Sequence, residues 1–478
     1  MSVLLTITLA FQYVVLAYFA VLNLAYTLFG YLGLRSIVVY TRELSQMTLR
    51  DLLARESYKP VSILVPAYNE EKSIVASVHS FLGLRFPEFE VVVVSDGSTD
   101  QTIPKLIEAF ALVEIPAVYC RTLPSAAIRR MFRSLEHGNL VVLEKENGGK
   151  ADALNAAIDV ARYPLICSVD ADSLLDADAL LRATRPFLED DDVIAIGGTI
   201  RPLNGATIVD GRVTALSMPK GWLERLQILE YTRAFFSGRA GWSHFDALLI
   251  ISGAFGVFRR SAVIEAGGYL VGTVGEDMEL VVRLHRRYRE LRQRYRILFT
   301  PDPICWTEVP ADLGTLRRQR NRWHRGLWET LWHHRSLMFN PRFGRLGTAA
   351  FPYFLVFEGV SPIVEAIGWV LIPTTFALGI FNGWFAILFL ALSVLYGVLL
   401  SQLAVGIETL LLQRYPRLRD RLILFAAAFL EFAGYRQILV LERCLATAQV
   451  FRKRGVWGHM QRQGIAEEPR DKAAEAAQ

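Results

Sequence analysis

The sequence predicts an α/β domain with a mostly parallel sheet, set between helices apolar enough to enter a membrane. Three observations carry this. Residues Ser2 to Leu34 contain no charged side chain. From Val61 onward, short apolar runs alternate with helically spaced segments. Residues ~349–380 and ~384–411 are again apolar enough to span, with Asn382-Gly383 as the turn between them.

The chain has 478 residues, 52% of them hydrophobic, and a net charge of +5. Mean hydropathy is +0.29, high for a soluble protein. The positive charge sits in arginine clusters rather than in one stripe, which argues against nucleic acid as a partner and fits cytoplasmic flanks of membrane helices and an anionic substrate. Four scattered cysteines (Cys120, Cys167, Cys305, Cys444) form neither a zinc pattern nor a disulfide framework.

At ~1.5 Å per residue, the first apolar run exceeds the ~30 Å hydrocarbon core. It lacks a basic n-region, and Arg35 and Arg42 follow it. The expectation is a retained transmembrane helix over 1–35, with residue 1 outside and the following domain in the cytoplasm. Residues 43–58 are polar and read as a linking helix. Val61–Val65 reads as a strand leading to Pro66-Ala67-Tyr68-Asn69-Glu70, then a helix over 72–84. Glu90–Val94 is a second strand, ending in Ser95-Asp96-Gly97-Ser98, with a helix through about Leu112. Residues 113–139 are less regular. Leu140–Leu143 is a strand before Glu146-Asn-Gly148-Gly149-Lys150, where two glycines let the backbone approach a ligand and Lys150 can reach a diphosphate.

Leu165–Val169 is a buried-type apolar run that ends in Asp170-Ala171-Asp172. In parallel sheets, ligands bind beyond the carboxyl ends of strands. Two acids there can hold a divalent cation with a phosphate behind it, since Mg²⁺ and Mn²⁺ favour carboxylate oxygens. The alternative is a solvated strand end before a helix starting near Ser173. Val193–Ile196 and Ile297–Thr300 are further short strands. Residues 220–250 are rich in aromatics. Glu276-Asp277 precedes an amphipathic helix, and Gln319-Arg-Asn-Arg322-Trp323 lies on a basic, aromatic one.

In this order, the motifs resemble the family 2 glycosyltransferases, specifically the membrane-embedded polysaccharide synthases (cellulose, hyaluronan, chitin-oligosaccharide and poly-N-acetylglucosamine synthases). The resemblance covers about Pro60 to Trp323. It implies a nucleotide-diphospho-sugar transferase (GT-A) domain and a UDP-sugar donor. By the same resemblance, Ala67, Tyr68, Glu70 and Asp96 belong to the nucleotide pocket, and Lys150 lies near the donor phosphates. Asp172, with Asp170, would hold Mg²⁺ or Mn²⁺; Asp170 could instead contact nucleotide. Asp277, beside Glu276, would be the catalytic base, and Gln319, Arg322 and Trp323 form the Gln-x-x-Arg-Trp signature of processive members. Trp457-Gly458 resembles the gating-loop Trp-Gly of hyaluronan synthases, with His459 where that loop has Thr.

The expected organisation is therefore a transmembrane helix (1–35), a linker (36–58), a cytoplasmic GT-A domain (59–312) and interfacial helices (313–348). Transmembrane or interfacial helices (349–451) and a basic cytoplasmic segment with a disordered tail (452–478) complete it. The implied function is inverting, metal-dependent transfer from UDP-N-acetylglucosamine or UDP-glucose, elongating an exported β-linked polysaccharide at the plasma membrane. Transfer to a membrane lipid acceptor is the first alternative, and an inactive saccharide or nucleotide receptor the second. Implied partners are the donor, a growing saccharide or lipid acceptor, membrane lipids, and an accessory export subunit or a second copy of the chain. Taken singly, each feature has a plainer reading: Asp277 as an acid at a helix start, the arginines of 317–322 as lipid contacts, and Trp323 as an interfacial aromatic. Glu358, Glu365, Glu408, Glu431 and Arg436 within apolar segments read either as lining of a polar path or as paired structural charges.

Overall fold

The computed structural model describes residues 2–46, 58–409, 415 and 417–450. The linking helix expected over 43–58 falls largely outside the described residues, as do Trp457-Gly458 and the basic tail.

The strands are β1 (Val61–Ala67), β2 (Phe89–Asp96), β3 (Leu112–Ile115), β4 (Ile128–Ser134), β5 (Leu140–Lys145), β6 (Leu165–Val169), β7 (Ser173–Leu175), β8 (Val193–Pro202), β9 (Ala206–Val209), β10 (Arg212–Leu216), β11 (Phe255–Arg259) and β12 (Arg296–Thr307). Ten of them form one sheet in the order β3-β4-β5-β2-β1-β6-β11-β8-β12-β7, and β9–β10 is a separate hairpin. Strands β1, β2, β3, β5, β6, β8 and β12 point one way; β4, β7 and β11 run against them. The sheet is thus mixed, with most strands sharing one direction.

The central strands are mostly apolar, as expected where helices cover both faces. Every residue of β6 is buried, as are Val61–Val65 of β1 and Val91–Val94 of β2. The helix Ile74–Leu82 presents Ile74, Val78 and Phe81 to this core. From β1 the chain moves outward to β2 and β5, then returns to β6 on the other side of β1. The loops leaving β1 and β6 therefore diverge, and the crevice between them is where such sheets bind ligands.

The sequence expectation fails in four places. Ser173–Leu175 is not a helix start: it is strand β7, paired antiparallel with β12, and the helix begins at Ala179. Leu174 and Leu175 are buried by that pairing, and burial overrides the local helix signal. The irregular 113–139 stretch holds most of the edge strand β3 and its antiparallel neighbour β4, where the adjacent Arg129 and Arg130 break the alternation that marks a strand. The short runs at 193–196 and 297–300 belong to longer strands, β8 and β12, that pair parallel through both halves across an irregularity. The first helix does not stop near residue 35 but runs from Ser2 to Gln46.

Four helical stretches are long and apolar enough to cross a membrane: Thr6–Arg42, Leu346–Ala377, Gly383–Ile407 and Leu418–Gln449. The protein is a membrane protein on this composition. The fourth stretch is broken at Ala433 and Gly434, whose φ is +110°. Its two pieces, of 13 and 14 residues, each rise only ~20 Å, short of the ~30 Å core. The second piece, Arg436–Gln449, packs along the helix Leu313–His333, where Glu442 accepts from Arg317 (2.8 Å) and Asn321 (2.9 Å). The segment 422–451 is thus two helices at an angle.

Ion pairs tie the apolar helices to the domain and to one another. Arg201 at the end of β8 makes a buried bidentate pair with Glu408 (3.0 and 2.9 Å). Arg233 pairs with Glu431, Arg436 with Glu365, and Arg443 with Glu358. Such pairs add little net stability, but their loss on one side leaves a buried charge, so they fix where each helix docks.

Candidate active site

The loops after β1 and β2 brace each other. Asn69 Oδ1 accepts from the Thr99 N–H (2.8 Å), Thr102 Oγ1 from the Glu70 N–H (2.9 Å), and Asp100 from the Glu71 N–H (3.1 Å). Asn69 adopts a positive φ of 56°, which turns the chain after Tyr68 and leaves that ring half exposed. Ala67 is buried under it, and Glu70 accepts from Ser73 Oγ (2.8 Å).

Asp96 ends β2, but its carboxylate is turned inward. It accepts from Lys145 Nζ (2.5 Å) and from the N–H groups of Gly148 (3.0 Å) and Gly149 (2.7 Å). Lys145, fully buried, also meets Asp152 (2.6 Å). Asp96 therefore shapes the Gly148-Gly149-Lys150 turn from beneath. Gly148 has to be glycine here, because a Cβ would lie 2.4 Å from Asp152 Cγ. Sequence reasoning missed Lys145 and Asp152: a lysine closing an apolar strand and an acid in a helix carry no local signal of pairing.

Lys150, at the N-terminus of the helix Lys150–Val160, crosses to the end of β6. Its Nζ donates to Asp170 (2.5 Å) and to the Gly253 carbonyl (3.1 Å), and lies 3.5 Å from Glu276. Burial opposes its charge, but Asp170 and Glu276 outweigh that and hold the ammonium well above its ordinary pKa. Asp172, one turn beyond, is buried. Glu276 and Asp277 begin the helix Glu276–Glu290. Burial pushes the Glu276 carboxyl up to about 7, against the pull of Lys150 and with the push of Asp277. Both Asp277 oxygens are oriented by backbone donors, Oδ2 by the Gly253 N–H (2.9 Å) and Oδ1 by the Met278 N–H (2.8 Å). Gly253 thus links both charges; of the two readings that Ser252-Gly253 allows in the sequence, lining of an acceptor pocket or a tight turn, both residues do line the cavity.

That helix is anchored through Glu279, which accepts from Arg283 on both oxygens (2.8 Å each) and from His334 Nε2 (3.1 Å). Burial opposes the Glu279 charge, yet His334 and Arg283 hold its carboxyl down to about 2. Unfolding returns it toward 4.5. The unfolded chain then binds the extra proton, so this stabilisation, about 3 kcal/mol, is present above pH ~4.5 and is lost as pH falls toward ~2. Melting midpoints should fall more steeply below about pH 5 in the wild type than in Glu279→Gln; parallel curves would rule the anchor out. Glu279, His333 and His334 are close enough to share a metal, but both Glu279 oxygens are already taken by Arg283, and one of them also by His334.

The donor set that suits Mg²⁺ or Mn²⁺ is Asp170 with Asp172: hard carboxylate oxygens at a strand end, facing a cavity. In donor chemistry the pair fits such an ion, which would share Asp170 Oδ1 with the Lys150 ammonium 2.5 Å away.

The cavity measures about 1040 Å³. Lys150, Asp170, Asp172, Glu276, Asp277, Gln319, Arg322 and Trp323 all line it. Ala67, Tyr68, Glu70 and Asp96 do not; they form a neighbouring group on the β1–β2 side of the crevice. Gln319 accepts from Arg320 (2.7 Å), whose guanidinium lies 4.1 Å from the Trp323 ring centre and pairs with Glu230 (2.8 Å). Arg320 is buried, which excludes it as a lipid contact. From this chemistry the cavity continues among the apolar helices, past Tyr26, Glu358, Glu365, Tyr396, Glu431 and Arg436. Glu358, Glu365 and Glu431 are therefore paired and also line the path, whereas Glu408 is paired with Arg201 only as a structural charge.

Residues 59–326 match the family model described as "Glycosyltransferase like family 2". The poly-beta-1,6-N-acetyl-D-glucosamine synthase of Staphylococcus aureus (strain COL) is 28% identical over 306 residues, covering 64% of this chain and 62% of the relative. The synthase of the same name from Staphylococcus epidermidis is 29% identical over 285 residues, covering 59% and 58%. The chain thus spans about three fifths of the length of these curated relatives. Among solved structures, a mannosyltransferase of Pyrobaculum calidifontis in complex with GDP-Man and Mn²⁺ aligns over 90% of this chain and 99% of its own, at 18% identity and a TM-score of 0.48. With its matched region spanning more than half of the sequence and holding the acid-rich cavity, the chain belongs to the glycosyltransferase family 2-like proteins.

Proposed function

We propose that this protein is an inverting membrane glycosyltransferase that uses UDP-N-acetylglucosamine to extend a β-linked polysaccharide. In this reading the domain faces the cytoplasm, the N-terminus lies outside, and the product leaves through the apolar helices. One observation carries it: a single cavity joins Asp170, Asp172 and Asp277 to a polar path among the apolar helices. The relatives' printed names support the choice of N-acetylglucosamine.

The acceptor hydroxyl is a weak nucleophile, so a base has to take its proton as the new bond forms. Asp277 is that base, with its oxygens aimed by Gly253 and Met278. The hydroxyl oxygen bonds to the anomeric carbon as the bond to the diphosphate breaks, and the electron pair departs on UDP. Lys150, fixed as a cation, faces the developing charge. Asp170 and Asp172 would hold the divalent ion, which supplies further positive charge to the diphosphate. Tyr68, half exposed, offers a flat face to the uracil. Asp172→Ala should weaken Mn²⁺-dependent UDP binding at least tenfold by titration calorimetry and leave metal-free binding as it was; unchanged metal dependence would remove Asp172 from the ligand set.

Apolar side chains such as Phe19, Leu22 and Leu403 also line the cavity, which favours a lipid-borne acceptor as the second reading. Protein in nanodiscs, given labelled UDP-N-acetylglucosamine and Mn²⁺, separates the two. A long polymer supports the first reading and a single-sugar lipid the second. Nucleotide-sugar binding without transfer would overturn both.

A further inference from the structure

The arginines around the cavity follow a rule with one departure. Arg233 is paired with Glu431, Arg320 with Glu230, Arg436 with Glu365 and Arg443 with Glu358. Arg239 lines the same cavity but makes no ion pair and no side-chain hydrogen bond among the described residues. Its Nη1 is shut off from solvent without a partner. Its guanidinium carbon lies 3.8 Å from the centre of the Phe235 ring, so the face of the cation is held against an aromatic.

Arg239 is partly exposed into the cavity, so its remaining N–H groups can donate to a ligand there, while Nη1 is held without a partner. Burial lowers the Arg239 pKa to about 10, and Asp277 is the first charge opposing that shift, which places the two in one electrostatic neighbourhood. The group stays protonated at neutral pH. Arg239 belongs to the π-helical turn Ala234–Arg239, which bulges between two regular helices at this point. Such bulges concentrate at functional sites because they re-aim one side chain. On the glycosyl-transfer reading, the donor diphosphate already has Lys150 and the acid pair.

We propose that Arg239 is an acceptor-binding residue whose N–H groups donate to hydroxyl or acetamido oxygens of the acceptor's terminal sugar, holding its nucleophilic hydroxyl against Asp277. Phe235 covers one face of the guanidinium, and Arg239 lines the cavity. The planar fork matches paired sugar oxygens as it does carboxylates, and a lysine ammonium would replace it only in part.

This inference rests on the glycosyl-transfer reading, and the experiment keeps the two apart. Wild type, Arg239→Gln and Arg239→Lys in nanodiscs would be given UDP-N-acetylglucosamine, Mn²⁺ and a graded series of N-acetylglucosamine oligosaccharides. The expected result for Arg239→Gln is at least a tenfold rise in acceptor KM, with donor KM and UDP binding within twofold of wild type. Hydrolysis of the donor by water should stay within twofold, since water needs no such grip. Arg239→Lys should recover part of the acceptor affinity. Wild type that transfers no sugar would sink the reading on which the proposal rests. Wild type that transfers, with an unchanged acceptor KM in Arg239→Gln, would sink the proposal alone. Equal loss of donor and acceptor affinity, or of thermal stability, would make Arg239 structural and overturn it as well.

Discussion

Asp277→Asn should cut sugar transfer by about 10²–10⁴-fold, the usual contribution of a positioned base, while UDP affinity stays within about threefold. Asparagine keeps the size of the side chain but cannot take the proton. One of its two terminal atoms would also be an NH₂ facing a backbone N–H, either Gly253 or Met278, so one hydrogen bond worth about 1 kcal/mol is lost. That strain is local to the start of the helix Glu276–Glu290. It leaves the β1–β2 loops alone, which is why nucleotide binding should survive. Turnover within tenfold of wild type would remove Asp277 as the base. Glu276→Gln is the natural control. Glu276 points toward Lys150 and is pushed by burial to about 7. If that substitution stopped transfer and Asp277→Asn did not, the roles of the two acids would be reversed.

Lys145→Met should be the most damaging single change away from the cavity. It would leave Asp96 and Asp152 buried against each other with their shared cation gone. Breaking a buried charge cluster from one side costs about 3–5 kcal/mol, which corresponds to a fall of roughly 6–20 °C in melting temperature. The loop Gly148-Gly149-Lys150 should loosen with it, since Asp96 is the acceptor that holds both glycine amides. The triple change Lys145→Met, Asp96→Asn, Asp152→Asn should recover part of the loss, because it removes the uncompensated charges. A triple variant no more stable than Lys145→Met would show that the charges were not the cause.

The two experiments bear on different kinds of residue, and the sequence treated them differently. Asp170, Asp172, Asp277, Gln319, Arg322 and Trp323 were legible because each follows a strand end or shares a helix face. Those placements depend on local periodicity, and the structure lines one cavity with all of them. Asp96 was legible as a strand-end acid, but its inward turn was not. Its partners come from residues 145 to 149, and only the parallel pairing of β2 with β5 brings them beside it. Arg239 gave no usable signal at all. An arginine in an aromatic stretch looks like a surface charge until its lack of a partner can be seen.

The sequence by itself determined the α/β alternation, the apolar helices on either side and the chemical classes at the strand ends. These rest on interactions within about ten residues, where hydrophobic period and turn residues dominate. Tertiary structure alone decided that Ser173–Leu175 is a strand, since its partner lies more than a hundred residues away in β12. It also decided that the stretch after Leu418 breaks at Gly434, and that the glutamates in the apolar helices are paired with arginines of the domain and its flanking helices. The strand pairing and the ion pairs are long-range contacts. Burial and charge pairing across such distances cost more to violate than any local preference, and so they prevail.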